Sequence, residues 1–374
     1  MDPLQAAVYQ EISEILAHYD LGHLVEFEQN LLGYNNTNFA IQLEKQGATR
    51  DYFFRRYKQE IQLDEIVFEH AIIEHLLNQD VCQVARVHRT RSGETYVLKP
   101  DKDSSLPVFY AVFDYLEGED RYTWIDPQLS SAEVKDSAAV LAKFHHAVAG
   151  FDPPGRRVEP KILELLPQIL ENLQLVRTSS KGTAFDEMLL ANLELLLEDC
   201  AAMQAYCSKV DWSAAPEMVV HCDYHPGNLK FSDQQVVGLF DFDWSKVDLR
   251  CFDVGLAIWY LTHWKNGLDG IIRLNESLHF LKSYQETLLD LPNLDPLSNF
   301  ELQHLPVMIN LGNLFVLNWT VTDFYATPAD PDEYLVYLQH SIKFSNWYGK
   351  RGNKYIQDFL IPYEQFQQDK RNMV

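Results

Sequence analysis

The stretch Val220–Asn228 reads Val-His-Cys-Asp-Tyr-His-Pro-Gly-Asn, and an apolar run then leads to Asp241-Phe242-Asp243. Asp223 stands two residues after a His, Asn228 follows five residues later, and Asp241 closes the apolar run. This order matches the catalytic Asp, metal-binding Asn and metal-binding Asp of a kinase-type phosphoryl-transfer loop. Such chemistry relies on positioning and charge neutralisation, so the remaining sequence has to supply a nucleotide site.

The segment that follows Asn228 predicts a β-hairpin. Residues 228–231 and 236–240 are candidate strands, and Ser232-Asp233-Gln234-Gln235 is the turn. This hairpin would return Asp241 to the side of Asn228, where amide and carboxylate oxygens suit Mg²⁺. Asp223 is expected to accept a hydrogen bond from the acceptor hydroxyl and to take its proton late in the reaction.

His221 and Asp253 are predicted to support this loop without reacting. The imidazole of His221 can brace the loop through hydrogen bonds. Asp253 precedes a helix expected from Val254, so it either caps that helix or accepts N–H groups from the loop. His145 and His146 are not assigned to the site, because a histidine on an apolar helix face is more often structural.

A turn near the N-terminus is a candidate phosphate-binding loop. Residues 25–27 and 38–43 have the composition of strands, and Leu32–Asn38 between them is rich in Asn and Gly. A small-residue turn can place backbone N–H groups over phosphates, which makes Asn35, Asn36 and Thr37 candidate nucleotide-binding residues. An ordinary hairpin turn explains the same residues, since Asn and Gly are the usual turn formers.

The next strand and helix can supply a phosphate-binding cation and its partner. Arg55 and Arg56 are adjacent on a predicted strand, so they point to opposite faces and only one can face a nucleotide. The helix predicted over 64–77 carries Glu65, Glu69 and Glu74. Glu69 lies mid-helix and is the candidate that holds the arginine, as kinase chemistry requires. Solvated surface side chains are the alternative for each.

The chain changes character near residue 117. A hairpin is predicted from strands at 85–88 and 95–98, followed by an aromatic-rich strand over 108–115. Backbone groups near Phe113 and Tyr115 would be available to an adenine ring. Beyond Leu116-Glu117-Gly118 the pattern is almost entirely helical. We therefore predict an α+β protein with a nucleotide-binding antiparallel β lobe with one main helix over 1–117, and a mainly helical lobe over 118–374 that carries the catalytic loop and the acceptor site.

The amino-acid composition limits the kinds of partner that this protein is expected to bind. The 374 residues carry a formal net charge of −23, which would repel nucleic acid and anionic membranes and weakly favours a cationic substrate. Five scattered cysteines without CxxC spacing predict reduced thiols. Neither a secretion signal nor an uninterrupted apolar stretch of about 20 residues is apparent. We expect a cytoplasmic protein, either a monomer or a homodimer.

The sequence resembles the aminoglycoside phosphotransferase, choline kinase and homoserine kinase type II superfamily. Residues 221–228 resemble its HGDxHPGN loop, with Cys222 where Gly is usual, and Asp241-Phe242-Asp243 resembles its metal motif. Three other segments are similar to family motifs, namely Phe252–Gly255 to YDLA, Gly33–Phe39 to NTNY, and Phe54–Tyr57 to LRRY. The last match puts Arg55 at the usual lysine position, although arginine and lysine are not interchangeable there.

This resemblance implies a two-lobed, protein-kinase-like fold and an ATP- and Mg²⁺-dependent kinase for a small-molecule hydroxyl. A homoserine- or choline-like amino alcohol is the favoured acceptor, and an aminoglycoside or other sugar-like antibiotic is the alternative. A nucleotide-binding scaffold without catalysis is a third hypothesis, which predicts a missing base or metal ligand. A protein kinase is disfavoured, because the eleven positions from Phe242 to Asp253 leave no room for an activation segment. The acceptor is expected near the helices of 156–210 and 256–345, where Asp243, Trp259 and Trp319 could contribute.

Overall fold

The computed structural model describes residues 3–30, 36–79, 81–100, 106–179, 181–265, 267–327 and 329–358. The chain divides into two compact units. The first unit is Met1–Glu119 together with the short segments Asp152–Arg156 and Val237–Asp243. The second unit contains the ranges Asp120–Phe151, Arg157–Val236 and Trp244–Val374. Two pieces from later in the chain, including the one with Asp241, thus belong to the first unit.

A five-stranded antiparallel sheet of order β1-β2-β3-β6-β5 forms the body of the first unit. Apolar side chains from alternate positions of these strands and from α1 form one core, because successive strand residues face opposite sides. The elements of this unit are α1 (Pro3–Leu16), β1 (His23–Asn30), β2 (Thr37–Lys45), β3 (Ala48–Arg56), α2 (Leu63–Leu76), β4 (Gln83–Val84), β5 (Val97–Pro100) and β6 (Pro107–Asp114).

The hairpin predicted from residues 85–88 and 95–98 is wrong. Val97–Pro100 pairs with the first half of β6, and Val87 forms a bridge with Phe113 in its second half. Both segments therefore lie end to end along one edge of β6, while β3 occupies the other edge. Their backbone groups are used on β6, so they are not available to each other.

The second unit is mainly helical. Its helices are α3 (Ser131–Ala147), α4 (Ile162–Ser179), α5 (Ala184–Cys207), α6 (Arg250–Trp259), α7 (Leu274–Leu289), α8 (Asn299–Ala326) and α9 (Pro331–Trp347). Its strands are β7 (Glu217–Val220), β8 (Leu229–Ser232), β9 (Gln235–Leu239) and β10 (Lys246–Leu249). The predicted strand–turn–strand after Asn228 is present as β8 and β9, and the division between the units falls within β9. The α+β fold class is confirmed.

Helix α8 is the most apolar helix in the part of the chain that is described. It has 28 residues and is long and apolar enough to cross a membrane by length and composition. However, 89% of its most apolar window is buried against the rest of the chain. It is therefore the central core helix of the second unit, packed mainly on α6, α9 and α4.

Candidate active site

Arg55 is the centre of a buried charged cluster in the first unit. Its Nη1 donates to Glu69 Oε1 at 3.0 Å, its Nη2 to Asp241 Oδ1 at 3.0 Å, and its Nε to Asn38 Oδ1 at 3.2 Å. Burial alone would lower the pKa of Arg55, but the carboxylates of Asp241 and Glu69 raise it above the usual value. The guanidinium is therefore a permanent, fixed cation.

The structure distinguishes the two adjacent arginines. Arg55 is 6% exposed, whereas the side chain of Arg56 is 34% exposed and faces Glu11 at 3.6 Å. Alternation along β3 explains this difference, because neighbours on a strand point to opposite faces. Arg56 is thus separate from the cluster, and Arg55 is the arginine that meets Glu69 and Asp241.

The three glutamates of α2 have three different partners. Glu69 is 3% exposed and binds Arg55 through one carboxylate oxygen and the Tyr57 hydroxyl through the other, at 3.0 Å each. Glu65 accepts the backbone N–H of Gln62 as part of the helix cap. Glu74 forms an ion pair with Arg89. Of the three candidates, only Glu69 reaches the arginine.

Asp241 sits in a strained backbone conformation. Its φ is 66°, in the left-handed region that residues other than glycine seldom adopt. Such strain is common where a side chain must be aimed at a ligand. The Asp241 side chain is 33% exposed, and its Oδ2 accepts no hydrogen bond from any described residue. One carboxylate oxygen is therefore fixed by Arg55 and the other is available to a ligand.

The residues predicted to bind the nucleotide phosphates lie in different environments. Asn36 is buried, its amide donates to Asp243 Oδ2 at 3.0 Å, and its carbonyl accepts the Lys58 N–H at 3.1 Å. Thr37 is the partly buried first residue of β2. Asn35 lies outside the described residues.

The two residues proposed for adenine also differ from each other. Phe113 is 4% exposed and packs its ring edge on His70 and against the Arg55 guanidinium. The N–H of Asp114 donates to Arg86 O, so that amide is not available to a base. Tyr115, the first residue after β6, is 47% exposed. A backbone contact to adenine would therefore have to begin after Asp114.

In the second unit, Asp223 is held from several sides. Its Oδ1 accepts the Tyr260 hydroxyl at 2.7 Å, and its Oδ2 accepts Asn228 Nδ2 at 2.9 Å. His225 Nε2 lies 3.4 Å from Oδ1. Burial alone would raise the pKa of Asp223, but His225 and the Tyr260 hydroxyl outweigh it and lower that pKa to about 2. Asp223 is a fixed carboxylate that is ionised at neutral pH.

Asn228 is oriented by the loop it closes. It ends the short helical turn Pro226–Asn228, and His225 Nδ1 caps that turn by accepting the Gly227 N–H at 3.0 Å. The Asn228 amide donates to both the backbone and the side chain of Asp223 at 2.9 Å. Because both contacts use the NH₂ group, the Oδ1 atom is left as an acceptor that no described residue uses.

The oxygen donors present fit a magnesium ion. Among the residues that the structure describes, no group of three or more His, Cys, Asp or Glu side chains is arranged for an all-protein metal site. Mg²⁺ usually binds through one or two protein oxygens and completes its shell with phosphates and water. Asn228 Oδ1 and Asp241 Oδ2 are hard oxygens of that kind.

Asp253 fixes the backbone before Asp223. Its Oδ1 accepts the Cys222 N–H at 2.8 Å, and its Oδ2 accepts the His221 N–H at 2.9 Å. Helix α6 starts at Arg250, so of the two expected roles for Asp253 the helix cap is wrong. His145 reaches the same carboxylate at 3.0 Å, and its other nitrogen meets the Tyr284 hydroxyl. His145 is therefore a fully buried structural residue.

His221 lies directly behind Asp223. Its side chain is fully buried, and its Nδ1 accepts the Asp223 N–H at 3.3 Å. Its ring also packs edge-on against Phe144 and Tyr224. These contacts hold the imidazole within the loop and away from solvent.

Tyr260 is a site residue that sequence reasoning missed. It lies seven positions after Asp253, which is two helical turns, so both side chains face the loop from one side of α6. That spacing is the signal that could have found it. Burial and the neighbouring Asp223 charge raise the pKa of Tyr260 well above the usual value, so its hydroxyl is a donor.

An aromatic cluster adjoins Tyr260 in the second unit. The partly buried Trp124 ring lies 4.5 Å from Tyr337, 5.3 Å from Trp264, 6.2 Å from Tyr260 and 6.3 Å from Trp319, centroid to centroid. Trp124 and Trp319 keep partial exposure, so the cluster has an accessible side. Trp259 is fully buried and donates to Asn313, which makes it a core residue.

The loop that carries Trp124 is held next to residues 223–228. Asp126 has a φ of 50°, and Arg273 bonds both its carboxylate and the carbonyl of Pro127. A Cβ placed on Gly227 would lie 3.2 Å from the Thr123 carbonyl carbon. The position of Trp124 relative to residues 223–228 is therefore fixed by the backbone.

Comparison with known proteins agrees with this geometry. The sequence model of the phosphotransferase enzyme family matches residues 26–289. A homoserine kinase from Bradyrhizobium sp. (strain BTAi1) is 25% identical over 338 residues, covering 87% of this chain and 90% of that protein.

Solved structures give the same fold. A microcompartment-associated aminopropanol kinase has a TM-score of 0.63 at 17% identity, covering 92% of this chain and 98% of that chain. The amicoumacin kinase hAmiN, solved in complex with AMP-PNP, Ca²⁺ and Ami, has a TM-score of 0.64 at 16% identity, covering 92% of this chain and 93% of that chain. The family match covers most of the chain and includes residues 221–228 together with Arg55, Glu69 and Asp241, so this chain belongs to the phosphotransferase enzyme family.

Proposed function

We propose that this protein transfers the terminal phosphoryl group of ATP to a hydroxyl of a small amino alcohol. The main support for the proposal is the environment of Asp223. This ionised carboxylate is held by Tyr260 and Asn228, and the Asp223 side chain is still 21% exposed. Oδ2 accepts one hydrogen bond, from Asn228, and so keeps a lone pair for a further donor. A substrate hydroxyl can therefore bind to it without displacing either partner.

Asp223 is proposed to orient the acceptor hydroxyl and to receive its proton. The hydroxyl oxygen forms a bond to the γ-phosphorus, and the bond from phosphorus to the β–γ bridging oxygen breaks to release ADP. A carboxylate with a pKa of about 2 is a weak base, so the proton moves late, once the new bond has formed. Positioning is then the main contribution of Asp223.

Arg55 is proposed to bind the nucleotide phosphates, held in place by Glu69. Its aromatic neighbours and its carboxylate partners fix the guanidinium. A fixed guanidinium can stabilise the phosphate charge without a costly rearrangement of the site during the reaction. Asn35, Asn36 and Thr37 are proposed to lie over the phosphates, and Phe113 and Tyr115 to lie near the adenine. The family resemblance and the chain order support these roles.

Asn228 and Asp241 are proposed as the magnesium ligands, through the two oxygens that no described residue uses. Bound Mg²⁺ would neutralise charge on the phosphates. The chain's own contribution is to aim these oxygens, by the Asp223 contacts of Asn228 and by the strained backbone and Arg55 contact of Asp241. His221 and Asp253 are proposed to keep the loop in shape.

An amino alcohol is the proposed acceptor class because the chain offers aromatic faces and negative charge. Rings of Trp124 and Trp319 are partly accessible beside Tyr260, and aromatic faces attract ammonium groups. The net charge of −23 favours a cationic over an anionic substrate. The curated relative reported above is named for homoserine, which is itself an amino alcohol.

The experiment is a screen for acceptor-stimulated ADP release with ATP and Mg²⁺. The panel contains homoserine, choline, ethanolamine, 1-aminopropan-2-ol, hydroxylysine and aminoglycosides, and Asp223→Asn is the matched control. We expect one amino alcohol to stimulate release, and Asp223→Asn to lose at least about 100-fold of that rate. Stimulation by aminoglycosides alone would favour the antibiotic alternative. Nucleotide binding without turnover on any acceptor would favour an inactive scaffold.

We also propose that the protein works in the cytoplasm as a monomer or homodimer. Its most apolar helix is used as a core helix, and four of its five cysteines are buried thiols. Fractionation of cells and light scattering of the purified protein test the two parts of this proposal separately.

A further inference from the structure

Asp223 depends on a neighbour for its orientation as well as for its charge. Its carboxylate is held at one oxygen by Asn228, which is also a proposed metal ligand, and at the other by Tyr260. Of these two partners, Tyr260 comes from outside the catalytic loop, from the C-terminal end of α6. The Tyr260 contact is the shorter, at 2.7 Å against 2.9 Å.

The Tyr260 side chain is itself fixed. It is 4% exposed, and its ring packs edge-on against His225 at 4.8 Å and Trp259 at 5.2 Å. Two turns earlier on the same helix, Asp253 binds two consecutive N–H groups of the loop. Helix and loop are thus joined at two places, and the buried phenol is held by its ring contacts on one side and by Asp223 on the other. This is the kind of support that holds a reacting group within a fraction of an ångström.

We propose that Tyr260 is a positioning residue, whose hydroxyl fixes the rotation of the Asp223 carboxylate so that a lone pair faces the acceptor hydroxyl. The inference rests on the proposed function, since it assigns Tyr260 a part in that reaction. Without the hydroxyl, Oδ1 keeps only the 3.4 Å contact with His225 Nε2, so the carboxylate can turn more freely about its χ2 bond. Misplacing a reacting group by about 1 Å can lower a rate about 100-fold.

The chain offers a matched control for this contact. The Tyr325 hydroxyl also donates to an aspartate at 2.7 Å, namely Asp186, which caps helix α5. Tyr325→Phe therefore removes a tyrosine–aspartate bond of the same length that has no part in the proposed site. We expect Tyr260→Phe to lower kcat by about 10- to 100-fold with KM for ATP changed less than about threefold. Tyr325→Phe should leave kcat unchanged.

A double-mutant cycle separates positioning from general loss of structure. If Tyr260 acts through Asp223, adding Tyr260→Phe to Asp223→Asn should lower kcat by less than about twofold beyond Asp223→Asn alone. p-Aminophenylalanine at position 260 keeps an N–H donor at the site of the hydroxyl, and it should restore most of the lost kcat. Thermal denaturation confirms that each variant is folded.

The outcomes are distinct. A wild-type enzyme that turns over while Tyr260→Phe keeps its full kcat would overturn this inference and leave the proposed function standing. Additive losses in the cycle, or no rescue by p-aminophenylalanine in a folded variant, would also overturn it. No turnover by the wild type on any acceptor would overturn both.

Discussion

Cys222 occupies a backbone position that explains why the resembling loops usually have glycine there. Its φ of 62° lies in the left-handed region, and its N–H is held by Asp253 at 2.8 Å. A left-handed residue with a side chain costs about 1–2 kcal/mol, which glycine avoids. The loop therefore keeps the glycine conformation although the residue has changed.

We expect Cys222→Gly to keep kcat within about threefold, because relief of strain offsets the lost packing of a fully buried thiol. Cys222→Val should lower the free energy of unfolding by about 2 kcal/mol and reduce kcat, because a β-branched residue is poorly tolerated at positive φ. Urea denaturation and steady-state kinetics measure both. A fully active and stable Cys222→Val variant would contradict the assigned backbone conformation.

Arg55 and Arg56 form a natural pair for mutagenesis. Arg55→Ala leaves Glu69 and Asp241 without their shared cation, so we expect the free energy of unfolding to fall by about 3 kcal/mol and kcat/KM for ATP to fall at least about 100-fold. Arg56→Ala removes a half-exposed contact with Glu11 and should cost less than about 1 kcal/mol. Equal effects on ATP kinetics from the two variants would contradict the assignment.

The sequence predicted the roles of these residues with different success. Strand alternation showed only that one of Arg55 and Arg56 faces a nucleotide, and the family resemblance pointed to Arg55. Glu69 was chosen because it lies mid-helix. Tyr260 was missed although its spacing from Asp253 offered a signal, because an aromatic residue on an apolar helix indicates a core position until Asp223 is placed opposite its hydroxyl. Asp253 was expected in one of two roles, and only the true start of α6 at Arg250 decides between them.

At the scale of elements, α6 and α8 cross so closely that a glycine is required. A Cβ on Gly255 would lie 2.8 Å from the carbonyl carbon of Met308 and 2.9 Å from the Ile309 nitrogen. These are backbone atoms, so the helices would have to separate. The crossing matters for the site because α6 carries both Asp253 and Tyr260.

Gly255→Ala should therefore lower the free energy of unfolding by about 2 kcal/mol and reduce kcat, because overpacking moves α6. Gly349→Ala is the control, since nothing lies within 4 Å of a Cβ at that position. Chemical denaturation of both variants makes the comparison. Equal stability of the two alanine variants would show that α6 and α8 are not in close contact.

The start of α5 gives a pH-dependent prediction. Asp186 accepts the Thr183 N–H at 2.8 Å and the Tyr325 hydroxyl at 2.7 Å. Burial alone would raise the pKa of Asp186, but these bonds lower it to about 2, below its value near 4 in an unfolded chain. The carboxylate then adds about 2 kcal/mol of stability above pH 4, which is lost as the pH falls toward 2.

Urea denaturation of the wild type and Asp186→Asn as a function of pH tests this. We expect the wild type to be more stable by about 1–2 kcal/mol at pH 7 and the difference to shrink below about pH 4. A difference that does not change between pH 7 and pH 3 would rule out the lowered pKa.

Helices were predicted better than short strands, and the difference has a physical cause. The helix predicted over 64–77 is present as α2, displaced by one residue, because a 3.6-residue pattern repeats along its length. The hairpin over 85–98 was wrong, because short strands carry no information about which edge of a sheet they will join. In the structure both segments pair with β6 along the same edge, and this pairing replaces the predicted hairpin.

At the scale of the whole molecule, the fold class and family are confirmed, whereas the division of labour between the units remains a proposal. Besides Met1–Glu119, the first unit takes in Val237–Asp243. Asp241 therefore belongs with Arg55 and Glu69, and Asp223 and Asn228 belong with the helices. Sequence order alone could not show this exchange, because it depends on long-range contacts within the first unit, namely the parallel pairing of β9 with β4 and the ion pair of Asp241 with Arg55.

Chelation of divalent cations tests whether Asn228 and Asp241 are magnesium ligands. We expect EDTA to abolish turnover and Mg²⁺ to restore it, because Asn228 and Asp241 supply only two oxygens and the rest of the shell must come from phosphates and water. Asp241→Asn should raise the Mg²⁺ concentration needed for half-maximal rate by at least about tenfold. An unchanged magnesium requirement in that variant would remove Asp241 from the metal site.

The most direct test of the central claim is mass spectrometry of the acceptor after incubation with ATP and Mg²⁺. We expect the wild type to yield an amino alcohol heavier by one phosphoryl group, with one ADP released per product. Asp223→Asn, which keeps the shape of the side chain, should form that product at least about 100-fold more slowly. Equal product formation by the two proteins would contradict the role of Asp223, and with it the proposed mechanism.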